Sequence, residues 1–170
     1  GLESARIVGA LCTNVEAGSE LGDPTELALV RHAEQAGHGL RELRQRYPEK
    51  REIAFDSARK EMATIHQDEE GLFAAVKGAA EAVLPQCTHV AGGGGESSLE
   101  EEERQRWLAL NEEMSADGLR VLALARRDVS PEEDISPDAV YRELTLLGLV
   151  GLRDPAREEI KEVIGQCHDA

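Results

Sequence analysis

The chain has 170 residues, 41% hydrophobic and 31% charged, the balance of one soluble globular domain with a core of its own. A formal charge of −15, from 34 acidic and 19 basic residues, repels phosphate backbones and anionic lipid, which makes nucleic acid and membrane surfaces poor partners. No apolar run approaches the roughly 20 residues of a membrane-crossing helix, so the expectation is a chain that is not itself membrane-inserted.

Glu3 to Val15 reads as a short helix with an apolar face at Ile7, Val8 and Leu11. After a loop from Glu16 to Gly22, Asp23-Pro24-Thr25-Glu26 is a strong helix start, with Asp23 as N-cap, Pro24 at the first helical position and Glu26 at the capping-box position. That helix stops near Gly37, and a second runs from Gly39 to Arg46, ended by Tyr47-Pro48. The period then shortens. Glu52–Asp56, Met62–His66 and Leu72–Val76 read as strands of an antiparallel meander. Ala79 to Leu84 is a short helix closed by Pro85, and Ala91 to Ser98, with four glycines, reads as a flexible linker. Leu99 to Ala116 is a charged amphipathic helix with Trp107, Leu110 and Met114 as its buried stripe. Leu119–Arg126 is a strand, Pro131 to Pro137 a polar loop, Leu144–Leu152 the last strand, and Asp154-Pro155 starts a terminal helix. The sum is α+β: a mostly antiparallel twisted sheet flanked by helical hairpins.

The residues alone name little chemistry. Cys12, Cys87 and Cys167 are far apart and read as free thiols, and the five histidines are scattered, so no metal site is assigned. Gly92–Gly95 is not a phosphate-binding loop, because Glu96-Ser97-Ser98 and then Glu100–Glu103 follow it instead of Gly-Lys-Ser/Thr. The acidic runs read as solvated surface, and no nucleophile-and-base pair stands out, so no catalytic residue is assigned.

Five stretches in order carry a resemblance. They are Gly22-Asp23-Pro24-Thr25-Glu26-Leu27-Ala28-Leu29, Phe55-Asp56-Ser57-Ala58-Arg59-Lys60-Glu61-Met62, Phe73-Ala74-Ala75-Val76-Lys77-Gly78-Ala79-Ala80-Glu81, Gly118-Leu119-Arg120-Val121-Leu122-Ala123-Leu124-Ala125 and Leu147-Gly148-Leu149-Val150-Gly151-Leu152-Arg153-Asp154-Pro155-Ala156-Arg157. Together they resemble the nucleotide-binding domain of cation-transporting P-type ATPases of the calcium-pump group. Ala80 departs from the pattern, standing where the family has proline, which puts local rigidity in doubt.

The resemblance implies ATP as ligand, with Mg²⁺ used together with the parent pump's phosphorylation domain. It makes Phe55 the aromatic that stacks on adenine, where strand position alone would make it core. Lys77 would lie at the inner end of the adenine pocket beside Gly78, and Lys60 nearer the phosphates; by residue type both lysines are ordinary solvated surface. Glu26 would accept from the adenine amino group, a role that competes with its capping-box position. Arg120 would reach toward the phosphates, and Met62 and Leu122 would wall the pocket, although core packing accounts for both equally well.

By the same resemblance residues 1–153 form the nucleotide-binding domain, and 154–170 are the hinge and the start of the phosphorylation domain. The family's reaction transfers the γ-phosphoryl of Mg-ATP to the aspartate of Asp-Lys-Thr-Gly-Thr, a motif this sequence lacks. The implied whole is a cytoplasmic domain of an integral membrane pump, working with phosphorylation and actuator domains and inactive as an ATPase in isolation. Two other readings stay open: a binding module for another adenine-containing ligand, and an acidic protein-interaction domain without nucleotide binding.

Overall fold

Short apolar segments, broken by charged or glycine-containing turns, give this chain most of its strands. The computed structural model describes residues 1–130, 132 and 135–153. In chain order these form α1 (Leu2–Leu11), α2 (Pro24–Gln35), α3 (Leu40–Arg46), β1 (Glu49–Asp56), β2 (Glu61–Gln67), β3 (Leu72–Gly78) and α4 (Ala80–Val83). A 3₁₀ turn (Leu84–Gln86) leads to β4 (Cys87–Gly92), β5 (Gly95–Ser98), α5 (Glu101–Ala116), β6 (Arg120–Val129), α6 (Pro137–Val140) and β7 (Leu144–Leu152). The strands make one seven-stranded sheet in the order β1-β2-β3-β6-β7-β4-β5, antiparallel throughout except where β4 lies parallel to β7. The architecture is the expected α+β.

The central strands are buried on both faces, which is why β2 and β3 lack an exposed side. From one face Phe73, Ala75, Leu124 and Leu147 pack against Val8 and Leu11 of α1, with α2 and α3 completing that layer. From the other, Ile65, Val76, Ala125 and Leu144 pack with Val83, Leu84 and Val140, and Trp107 and Leu108 of α5 lean on them. Phe73 anchors the first face. Tyr47 stands edge-on to its ring at 5.7 Å, His66 lies tilted at 5.6 Å, and the Arg126 guanidinium sits 4.1 Å from its centroid.

Several elements differ from the sequence expectation, each for a local reason. The glycine-rich stretch is not a linker: Gly93-Gly94 is the two-residue turn of the β4–β5 hairpin, with Gly92 paired to Gly95. A glycine run that would be flexible in isolation is held because β4 is itself paired to β7. The stripe on α5 keeps Trp107 and the half-buried Met114 but not Leu110. Leu108 packs on the core while Leu110 is 39% exposed, and no α5 residue is fully buried. Arg104 adds to this packing, its guanidinium donating to the carbonyls of Leu84 and Cys87. Helix α1 stops at Leu11 because the chain turns there, placing Thr13 and Asn14 against α2. Strand β4 and the single turn α6 have no counterpart in the sequence expectation, both being short. The expected helix from Asp154, the hinge at 154–170, Cys167, and residues 131, 133 and 134 of the polar loop lie outside the described residues. Cys12 and Cys87 are buried free thiols.

His66 is fully buried beneath this face; its Nδ1–H donates to the Tyr47 carbonyl at 3.0 Å, and Nε2 accepts from the Thr64 hydroxyl at 2.8 Å. Burial holds its pKa below the ordinary 6.5. Folding therefore releases a proton that the unfolded chain binds below pH 6.5. The His66 contribution is fully present above that pH and is lost as pH falls through the lower folded value. Urea denaturation across this window is expected to show stability falling with acidification, and His66→Gln should flatten the slope.

Candidate functional site

The sheet's antiparallel order brings the start of β2, the end of β3 and the start of β6 to one end. On the face that carries Phe73 and Ala75, the period of two continues to Lys77, which pairs across to Met62 on one side and Leu124 on the other. Leu122 and Arg120 lie on β6 at the same end. A cavity of about 600 Å³ opens there, between this corner of the sheet and the start of α2, within the size range of small-molecule sites. Glu26, Phe55, Lys60, Met62, Lys77, Gly78, Arg120 and Leu122 all line it.

At the inner end Lys77 Nζ lies 2.5 Å from Glu26 Oε1, the two side chains only 9% and 13% exposed. Glu26 Oε2 accepts from the Thr13 hydroxyl and from the Asn14 backbone N–H, each at 3.0 Å. Glu26 thus turns away from the local capping box. Asp23 caps α2 without it, its Oδ1 accepting from the N–H groups of Thr25 (2.8 Å) and Glu26 (3.3 Å).

The outer wall depends on a β-bulge. Pairing between β1 and β2 passes from Ile53↔Ala63 to Asp56↔Glu61, so Ala54 and Phe55 together stand against Met62. The extra residue re-aims Phe55 onto the cavity, and the residue is 61% exposed. Core burial does not describe it. Met62, by contrast, is both core and wall, fully buried and packed with Phe73 and Leu124.

The β1–β2 turn closes on Lys60, whose N–H donates to the Asp56 carbonyl at 2.6 Å and whose φ is +59°. The Lys60 carbonyl accepts from the Ala79 N–H at 3.0 Å, which draws the end of β3 against the turn. Gly78 makes that approach sterically allowed: a Cβ there would lie 2.7 Å from the Lys60 carbonyl oxygen and 2.8 Å from Glu61 Cβ. Lys60 Nζ reaches Glu81 at 3.2 Å, and Arg120 donates to the Thr25 hydroxyl at 3.2 Å. Behind the wall, Cys12 Sγ points at the Met62 carbonyl, and burial pushes the thiol up to about 11, so no thiolate is available.

Asn14, Thr25 and Ala79 also line the cavity, and Thr13 supports it, although the sequence patterns assign them no role. Thr25 and Ala79 lie inside quoted motifs and could have been found by adjacency. Nothing local marks Thr13 or Asn14, which reach Glu26 only because α1 ends early. Among the described residues no group of three or more His, Cys, Asp and Glu side chains could hold a metal, and no helix is long and apolar enough to cross a membrane.

The family model for the P-type ATPase cytoplasmic domain N matches residues 8–159. The chain belongs to this family. Relatives of the N domain include a calcium-transporting ATPase 1 of Bacillus cereus, 34% identical over 89% of this chain and 17% of the relative. A sodium/potassium exporting P-type ATPase of Schizosaccharomyces pombe is 37% identical over 88% of the chain and 14% of the relative. The human plasma membrane calcium-transporting ATPase 3 is 31% identical over 89% of the chain and 13% of the relative. The chain therefore spans less than a fifth of the length of these relatives.

The N-domain corner has little slack at Gly78. Gly78→Ala is expected to cost about 1–3 kcal/mol of stability, because the Lys60 carbonyl and Glu61 Cβ that it would meet cannot swing aside. Urea denaturation of the variant measures it.

Proposed function

We propose that this N domain binds ATP by its adenine and presents the γ-phosphate to the phosphorylatable aspartate of a separate domain, within a pump that hydrolyses ATP to move a cation. The observation that carries the reading is Phe55: a bulge turns a strand phenylalanine outward, 61% exposed, onto a cavity of about 600 Å³. Exposing an aromatic ring beside an open cavity has no packing benefit, whereas a base stacked on it recovers roughly 1–3 kcal/mol. This also counts against a plain interaction domain in which the pocket residues serve as core.

The other lining residues fit the same ligand. Met62 and Leu122 offer an apolar wall to the second edge of the ring system. The Glu26 carboxylate, fixed by Thr13, Asn14 and Lys77, retains acceptor capacity on Oε1, which suits an exocyclic amino group and disfavours the carbonyl of guanine. Lys60 and Arg120, nearer the solvent, suit the phosphates. Magnesium does not find a cage here. Among the described residues the carboxylates lining the cavity are those of Glu26 and Asp23, and Asp23 Oδ1 is engaged on the α2 cap. In this reading the metal arrives on ATP and is held by the phosphorylation domain.

The domain's part in the reaction is orientation, not acid/base chemistry. Its relatives are named for calcium and for sodium/potassium. One kind of cytoplasmic domain can serve different ions when the ion ligands lie in membrane segments.

Titrated with ATP, the chain is expected to shift amide NMR signals around Phe55, Lys60 and Lys77 and to hydrolyse none of it. Shifts absent from those residues, or turnover by the pure chain, would overturn the reading. Phe55→Ala should weaken ATP binding by about 1–3 kcal/mol with little change in melting temperature.

A further inference from the structure

Positive charge at the cavity is almost wholly neutralised within the domain. Glu26 occupies Lys77, and Glu81, in the first turn of α4, occupies Lys60 at 3.2 Å. Arg120 meets the neutral Thr25 hydroxyl. A polyphosphate entering this site thus meets one guanidinium with no carboxylate partner among the described residues and two ammonium groups already paired.

The two ion pairs are not equivalent. Lys77 and Glu26 are nearly buried and hydrogen-bonded into the segment after α1, so separating them would strand desolvated charge. Lys60 and Glu81 are 58% and 56% exposed, and a pair so open to water contributes little to folding. Nor does the turn need it. The backbone bonds Lys60 N–H to Asp56 and Ala79 N–H to Lys60 already fix the chain there. Glu81 is nonetheless kept ionised, its carboxyl held below the usual range by its own backbone N–H and by Lys60.

We propose that Glu81 is a resident counter-anion that holds Lys60 in the empty site and is displaced by the phosphates of the bound nucleotide, so that it limits nucleotide affinity. The inference rests on the ATP reading above and adds a residue to it. Lys60 carries a single charge, and a phosphate oxygen must win it from Glu81 while being repelled by the freed carboxylate. Removing that carboxylate should tighten binding of the charged ligand, a sign opposite to that of losing a contact residue. Fast release of nucleotide would be the benefit of the resident anion.

Isothermal titration of the chain with ATP and with adenosine tests it. Glu81→Gln is expected to bind ATP about threefold to fivefold more tightly, with adenosine unchanged. The gain should shrink at high salt and vanish in a Lys60→Gln background. ATP binding that is unchanged or weaker in Glu81→Gln, or a gain that persists without Lys60, overturns the counter-anion role while leaving the ATP reading intact. A wild-type chain that binds neither ligand overturns both.

Discussion

The contact on which the site depends is the ion pair between Lys77 and Glu26. It joins the end of the central strand β3 to the first turn of α2, across a layer boundary packed largely with apolar side chains. Taking both charges out of water is costly, and the pair is tolerable because Thr13 and Asn14 satisfy the second carboxylate oxygen. The early end of α1 is what places those donors. One interaction therefore fixes three segments, and the floor of the cavity is the result.

Above that floor, the sheet supplies position through its directionality. Because β3 runs antiparallel to both β2 and β6, one strand's end lies beside its neighbours' starts, and Met62, Lys77 and Leu122 converge without any long loop. Such a site is stiff. Both faces of β3 are buried, so its backbone cannot shift without disturbing two clusters. The rim is built differently, from the β1–β2 turn and the exposed Phe55, Lys60 and Arg120. A rigid inner end and an open rim suit a domain that grips one end of a ligand and leaves the other accessible.

The reverse face of the same corner is also polar. Glu61, buried and hydrogen-bonded by Gln86 at 2.6 Å, has its pKa raised by desolvation. Arg59 crosses toward Asp138 and lies 6.0 Å over the ring of Tyr141, tying the Lys60 turn to α6. The turn is thus braced from behind by groups that do not line the cavity.

Much of this was legible in the sequence. The cap at Asp23-Pro24, the three meander strands and β7 arise from local patterns, since capping and short apolar runs are properties of neighbouring residues. Resemblance to a family named eight of the residues that line the cavity, because motifs survive as short contiguous strings. Pairings between distant segments were not legible. Whether Glu26 capped its own helix or met Lys77 was decided across 51 residues, and Thr13 and Asn14 reached it across 13 and 12. The β1 bulge determined which way Phe55 faced, and the pairing of β4 to β7 turned a glycine linker into a hairpin. Sequence by itself set the longer helices and strands and which residues carry charge or aromatic rings. Only the tertiary structure decided which face each ring took and which partner each charge found, because both depend on register and on contacts that local propensity does not encode.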